Sequence, residues 1–193
     1  MRKLAIAVVM VPAIVAPGVA FAAWHVEERT NAMTDARVSY AVVTNKDGHE
    51  LKVTRWDDGR VWATFRLADR SLDVLGERSP MVRVDKLEPQ DLDSFRTSSV
   101  PLLAAMIQSE PKWVSWVIFH GNGPANNGAL RDLMNGHRVV IRYYLFTGGY
   151  KETDFTLAGA KVAIAKAVGV PAEVEAVTPD EDRELTENID GAT

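Results

Sequence analysis

Alternating apolar and polar positions predict a β-hairpin over residues 50–67. Leu51 and Val53 share one face of the first arm, and residues 61–67 of the second arm alternate in the same way. The two arms are separated by a short polar stretch that contains Asp58-Gly59, a pair that favours tight hairpin turns. The pattern therefore predicts two adjacent antiparallel strands.

Further strand patterns occur on both sides of this hairpin. They cover residues 38–44, 81–86, 112–119, 138–146 and 151–157. In the second of these segments we expect Val82 and Val84 to face inward and Arg83 to face outward. Residues 138–146 are apolar on both faces except for Arg142, which predicts a strand in the interior of a sheet.

Helical signals are fewer and shorter. Ser99 and Pro101 favour the start of a helix that runs through Ile107. A second helix is predicted to stop at Gly136, and a third covers residues 158–168. Their apolar faces are predicted to contain Leu130, Leu133 and Met134 in the second helix, and Val162, Ile164, Ala165 and Val168 in the third. The fold class that follows is mainly β, an antiparallel sandwich-like α+β domain with two or three short helices.

The N-terminus has the pattern of a signal peptide. Two basic residues precede an apolar run over residues 4–19, and Ala20-Phe21-Ala22 is a small-x-small cleavage sequence. We expect residues 1–22 to be removed by cleavage between Ala22 and Ala23, which would place the rest in the periplasm. A retained membrane anchor is the alternative, but two prolines and a glycine interrupt the run, so we expect no stable membrane insertion after cleavage.

Charge is distributed unevenly over the 193 residues, whose formal net charge is −4. Residues 171–193 contain eight acidic side chains and a single basic one, and they are predicted to form a disordered tail. Residues 23–170 form the predicted single globular domain. They contain 19 basic and 18 acidic side chains. A domain this close to neutral gives no electrostatic reason to expect nucleic acid as a partner.

The sequence contains no motif typical of a catalytic site or a metal site. The chain has no cysteine, which excludes disulfides and thiol chemistry, and its four histidines lack the spacing of metal ligands. The Gly/Asn-rich loop at residues 121–128 lacks the Lys-Ser/Thr of a phosphate-binding loop. The acid pairs Asp57/Asp58 and Asp91/Asp93 are better explained by turn formation than by acid–base catalysis. We therefore predict no cofactor, no metal and no catalytic residue.

Two tryptophans are the candidates for a binding surface. Trp62 and Trp116 are interpreted as lying opposite the apolar neighbours of their strands, which would expose both rings to a partner. The alternative is that they pack in the core or on a covered sheet face, as aromatic residues in strands commonly do.

Several short segments after residue 23 follow an order found in one protein family. They are Trp24-x-Val26-x-Glu28-Arg29-Thr30-x-x-Met33-Thr34-Asp35, Leu51-Lys52-Val53-Thr54-Arg55, Val82-Arg83-Val84-Asp85, and residues 130–133, 138–142 and 155–164. This order resembles the VasI/TagO proteins. The resemblance implies a periplasmic protein associated with type VI secretion and supplies no catalytic residues. Family members carry a cysteine after the arginine matched by Arg55 and another near the end of the last helix, where this chain has Trp56 and residues 169–171.

Three functions follow as hypotheses. The first is a non-enzymatic periplasmic accessory or protein-binding domain, associated with type VI secretion through the resemblance, that contacts a protein partner in the cell envelope through a sheet face. The second is a periplasmic hydrolase acting on the cell wall or another polymer, with Asp85 as a candidate acid. The third is a small inhibitor or immunity-type protein that blocks an exported enzyme. The oligomeric state is not indicated by the sequence.

Overall fold

The computed structural model describes residues 23–30, 32–99, 104–120 and 128–171. The predicted signal peptide with its cleavage site at Ala22, the predicted helix start at Pro101, most of the Gly/Asn-rich loop and almost all of the acidic tail lie outside the described residues. The described strands are β1 His25–Thr30, β2 Arg37–Thr44, β3 Glu50–Arg55, β4 Val61–Arg66, β5 Met81–Val84, β6 Gln90–Asp91, β7 Ile107–Glu110, β8 Trp113–Phe119, β9 Arg138–Tyr144 and β10 Tyr150–Thr156. The described helices are α1 Asp93–Arg96, α2 Gly128–Asn135 and α3 Ala160–Val168.

The strands form two antiparallel sheets. The first has six strands in the order β1-β2-β3-β4-β8-β7, and the second has four in the order β10-β9-β5-β6. Helix α3 packs on β1, β2 and β3, while α2 packs on β8 and on α3. This arrangement confirms the predicted mainly β, sandwich-like fold with short helices.

One hydrophobic cluster lies between the two sheets and the helices, and it extends from Trp24 to Val170. Phe65 on β4 is fully buried and contacts Tyr143 on β9, with a distance of 5.3 Å between ring centroids. The Trp24 indole N–H donates a 2.7 Å hydrogen bond to the Thr156 carbonyl oxygen, which connects the start of the six-stranded sheet to the end of β10. Apolar side chains from both sheets and from α2 and α3 therefore form a single core.

The predicted hairpin is confirmed as β3 and β4. Leu51 pairs with Phe65 and Val53 pairs with Ala63, so the apolar residues of both arms share one face. Gly59 adopts a φ of 82°, which a glycine accommodates without strain and which the turn requires. Strand β9 is an interior strand of its sheet, as the apolar character of residues 138–146 indicated.

Three local predictions were wrong. The helix predicted to run through Ile107 cannot extend that far, because Ile107 begins strand β7. No strand was predicted within residues 24–35, but they include β1. Both strands lie at edges of the six-stranded sheet, where polar side chains can face solvent and the hydrophobic pattern is weak. Val162 was placed on the apolar face of the third helix, but its side chain is 69% exposed.

The three described helices are short, with four, eight and nine residues. Among the described residues, no helix is long and apolar enough to cross a membrane.

Candidate functional site

The two tryptophans proposed as a partner surface are both buried, so that prediction was wrong. Trp116 is 2% exposed, and its ring lies on the inner face of the six-stranded sheet beside Ala63 and within the core. Strand β8 is apolar on both faces, and alternation alone therefore did not indicate which face is the inner one.

Trp62 lies on the opposite face of that sheet and is nevertheless only 1% exposed. Trp56 from the hairpin turn stacks on it at 4.8 Å between ring centroids, and the Arg60 guanidinium lies 5.3 Å from its ring. The Trp62 indole N–H is buried without a hydrogen-bond partner among the described residues. The turn thus covers the ring that the sequence pattern had placed in solvent.

Asp85, the candidate acid of the hydrolase hypothesis, has a structural explanation. It follows β5 with a φ of 47°, and its carboxylate accepts hydrogen bonds from the backbone N–H groups of His137 at 3.1 Å and Arg138 at 2.9 Å. These bonds, the His137 amide first, lower the pKa of Asp85 below its ordinary value. A general acid requires a raised pKa, so this carboxylate suits the anchoring of a turn better than proton donation.

Exposed aromatic rings occur instead on the outer face of the four-stranded sheet. Tyr150 is 58% exposed there, and Phe146 in the turn that follows β9 is 74% exposed, whereas the other side of the same sheet belongs to the core. We call the outer surface the tyrosine–arginine face. It consists of Arg78, Met81, Arg83, Arg138, Val140, Arg142, Tyr144, Tyr150, Glu152 and Asp154.

Arginines hold the aromatic rings of this face in place. Tyr144 and Tyr150 pair across the β9–β10 hairpin, with 6.4 Å between their ring centroids. The Arg78 guanidinium lies 4.3 Å from the Tyr144 ring, and that of Arg142 lies 4.7 Å from the Tyr150 ring, both within cation–π range. Arg142 also forms an ion pair with Glu152 at 2.6 Å, which raises the pKa of its guanidinium.

A groove of about 470 Å³ crosses the same face and contains three guanidinium groups. Arg138 is paired with Asp154 at 3.1 Å and Arg142 with Glu152. Arg83 is exposed and has no ion-pair or hydrogen-bond partner within the described part of the chain. The groove therefore retains one cationic side chain available to a carboxylate, because planar guanidinium groups bind carboxylates well.

The sequence contained a partial signal for this face. The strand pattern correctly placed Arg83 outward and identified Arg142 as the polar residue of an apolar strand. Tyr144 and Tyr150 were missed, because they become neighbours only when β9 and β10 pair in the observed register.

Comparisons of the chain with family models, with curated proteins and with solved structures found no match. The residues that the structure describes also contain no group of three or more metal-ligating side chains.

Proposed function

We propose that this chain is a non-enzymatic protein-binding domain that acts in the periplasm and engages an acidic segment of a partner in the cell envelope. The observation that carries the proposal is the unpaired Arg83 in a groove that also contains Arg142, whose guanidinium lies against the exposed ring of Tyr150. Tyrosine and arginine are enriched among the residues that dominate binding energy at protein interfaces.

Charge on the face favours an acidic partner. The groove lining carries three guanidinium groups, those of Arg83, Arg138 and Arg142, and two carboxylates, those of Asp85 and Glu152. Asp154 pairs with Arg138 from beyond the lining and Glu152 pairs with Arg142, so Arg83 is left without an ion-pair partner within the described residues. Both ion pairs are partly exposed to water, so a carboxylate from a partner can approach the same guanidinium groups. The resemblance to VasI/TagO proteins supports a narrower form of the proposal, in which the partner belongs to a type VI secretion assembly.

Binding of a defined acidic peptide tests the proposal. We expect a synthetic peptide that alternates glutamate with leucine to bind the full chain, whereas its lysine-containing counterpart does not. Reversing the charge with Arg83→Glu and removing the ring with Tyr150→Ala should each weaken binding by about tenfold or more, as substitutions at central interface residues do. Fluorescence anisotropy of the labelled peptide measures both effects.

The matched control is Arg37→Glu, which reverses an exposed charge on β2 at a distance from this face. It should leave peptide binding unchanged. Equal binding by the Arg83, Tyr150 and Arg37 variants would refute the proposed face. Binding that appears only after removal of residues 172–193 would instead show that the acidic tail of the same chain occupies the groove.

Export is tested separately. We expect residues 1–22 fused to an alkaline phosphatase reporter to give activity, because that reporter folds only outside the cytoplasm. Intact mass of the recovered full-length protein should correspond to a chain that begins at Ala23. A fusion in which Arg2 and Lys3 are replaced by glutamate should lose reporter activity, since signal peptides require a basic start. Full activity of that altered fusion, or a mass that retains residue 1, would contradict the prediction of a cleaved signal peptide.

A further inference from the structure

A second concave site lies away from the tyrosine–arginine face, where the β2–β3 turn meets residues 68–73 and strand β10. The cavity has a volume of about 360 Å³. We call it the His49 pocket, and its polar lining consists of Asp47, His49, Arg70, Ser71, Asp73, Tyr143, Lys151 and Glu152.

His49 provides a hydrogen-bond donor to this pocket. Its side chain is only 6% exposed, and its Nδ1 accepts a 2.9 Å hydrogen bond from the backbone N–H of Ala68. This bond assigns the proton of the neutral imidazole to Nε2. Nε2 has no hydrogen-bond partner in the described ranges, and burial lowers the pKa of the ring, so that the neutral donor form prevails at neutral pH.

The walls of the pocket are held in place by buried or half-buried hydrogen bonds. Lys112 Nζ donates to the carbonyl oxygens of Ser71 and Asp73, both at 2.6 Å. The Asn45 side chain donates to the Thr153 hydroxyl at 2.6 Å and so attaches the β2–β3 turn to β10. A pocket with such fixed walls is preformed, as small-molecule sites usually are.

Two side chains of opposite charge at the rim of the pocket, Asp47 and Arg70, are available to bind a ligand. Asp73 is neutralised by Lys151 at 2.8 Å, and burial, with the nearby acids, raises the pKa of Tyr143 to about 12. Asp47 receives only a 3.3 Å hydrogen bond from the Thr153 hydroxyl, and Arg70 has no ion-pair partner among the residues described. The pocket thus presents the Asp47 carboxylate and the Arg70 guanidinium, neither in an ion pair within the described residues, beside the Nε2–H group of the largely buried His49 imidazole.

We propose that the His49 pocket binds a small zwitterion of the size of a free amino acid. The ligand carboxylate faces Arg70 and the His49 Nε2–H group, and the ligand ammonium faces Asp47. The volume lies at the lower end of the range for ligand pockets, which favours a single amino acid over a peptide. This proposal does not rest on the peptide-binding face, although Glu152 lines both sites.

Isothermal titration calorimetry of the full-length chain with each of the twenty standard amino acids tests this proposal. Propionate and ethylamine are included as probes that carry only one of the two charged groups. We expect at least one amino acid to bind, and both single-charge probes to bind at least about tenfold more weakly, since each lacks one charge-assisted contact. Propionate that binds as tightly as the best amino acid would identify a simple anion site and overturn the proposal.

Two rim substitutions test the contacts without disturbing the core. Asp47→Asn and Arg70→Gln remove the charges of exposed residues, and each is expected to weaken binding by about tenfold. Arg37→Gln is the matched control and should bind normally. Absence of binding by all twenty amino acids, or unchanged affinity in both rim variants, would refute the proposal. Circular dichroism of each variant establishes that it is folded.

Discussion

Replacing Phe65 with alanine is expected to lower the free energy of unfolding by about 3–5 kcal/mol, as truncation of buried phenylalanines commonly does. Phe65 is 0% exposed and joins the two sheets through its ring. Its centroid lies 5.3 Å from that of Tyr143 on β9 and 6.2 Å from that of Phe155 on β10. The substitution therefore removes contacts from both sheets and leaves a cavity between them.

Urea denaturation followed by tryptophan fluorescence measures this loss. Phe146→Ala is the matched control, because the same residue type is 74% exposed there and its removal should change stability by no more than about 0.5 kcal/mol. Similar losses for the two variants would contradict a core in which Phe65 bridges the sheets.

The sequence could predict those parts of the fold that depend on residues close to each other along the chain. The β3–β4 hairpin was found because its alternation and its Asp58-Gly59 turn lie within one short segment. Pairing of β5 with β9 was not predictable, because Val84 meets Val139 only after the chain between them has folded. Hydrophobic alternation reports the burial of a strand but does not identify its neighbour.

The candidate sites also depend on contacts between distant segments, which local sequence patterns do not reveal. The sequence showed His49 only as one of four histidines without metal-ligand spacing, but its imidazole is buried by contacts with Phe65 and Tyr143. Those rings come from strands distant in sequence, and no local pattern marks the imidazole as buried. For Trp62, the sequence pattern correctly predicted the face of the strand on which the ring lies. It did not predict that Trp56 stacks on this ring and covers it.

Strand β10 connects the two proposed sites. Tyr150 faces the tyrosine–arginine face, whereas Lys151 points to the other side and pairs with Asp73 in the His49 pocket. Successive side chains of a strand point to opposite faces, so one edge strand can serve two surfaces. Glu152 lines both the groove and the pocket. Measuring peptide and amino acid binding on the same variants is therefore informative, because the rim variants and the face variants should each affect only one ligand.

Replacing His49 with leucine is expected to lower the free energy of unfolding by about 1–3 kcal/mol at neutral pH, because the buried N–H of Ala68 loses its acceptor. The same substitution should also change how stability depends on pH. Desolvation by burial lowers the pKa of His49 below 6.5, and Lys151 acts in the same direction, although Asp47 and Asp73 oppose the shift. The folded state therefore binds a proton at His49 less readily than the unfolded state.

The sign of the pH effect follows from this difference. As the pH falls below the ordinary value of 6.5, the unfolded chain takes up the proton first and is stabilised, so the free energy of unfolding of the natural chain decreases until the folded-state pKa is reached. Carboxylates with lowered pKa values, such as Asp73 and Asp85, also reduce the free energy of unfolding when they are protonated. This reduction occurs only at lower pH, near and below their ordinary value of 3.8. The window between 6.5 and the onset of carboxylate titration therefore isolates the histidine contribution.

Urea denaturation at several pH values between about 7.5 and 5 measures this contribution. The natural chain should lose stability toward the acidic end, and His49→Leu should show a shallower decline from its lower starting value. Phe146→Ala removes an exposed ring and no titratable group, and it should keep the slope of the natural chain. A slope that is unchanged in His49→Leu would show that the buried imidazole does not resist protonation. The neutral Nε2–H donor assigned to the pocket would then lose its physical basis, because that donor depends on the same burial.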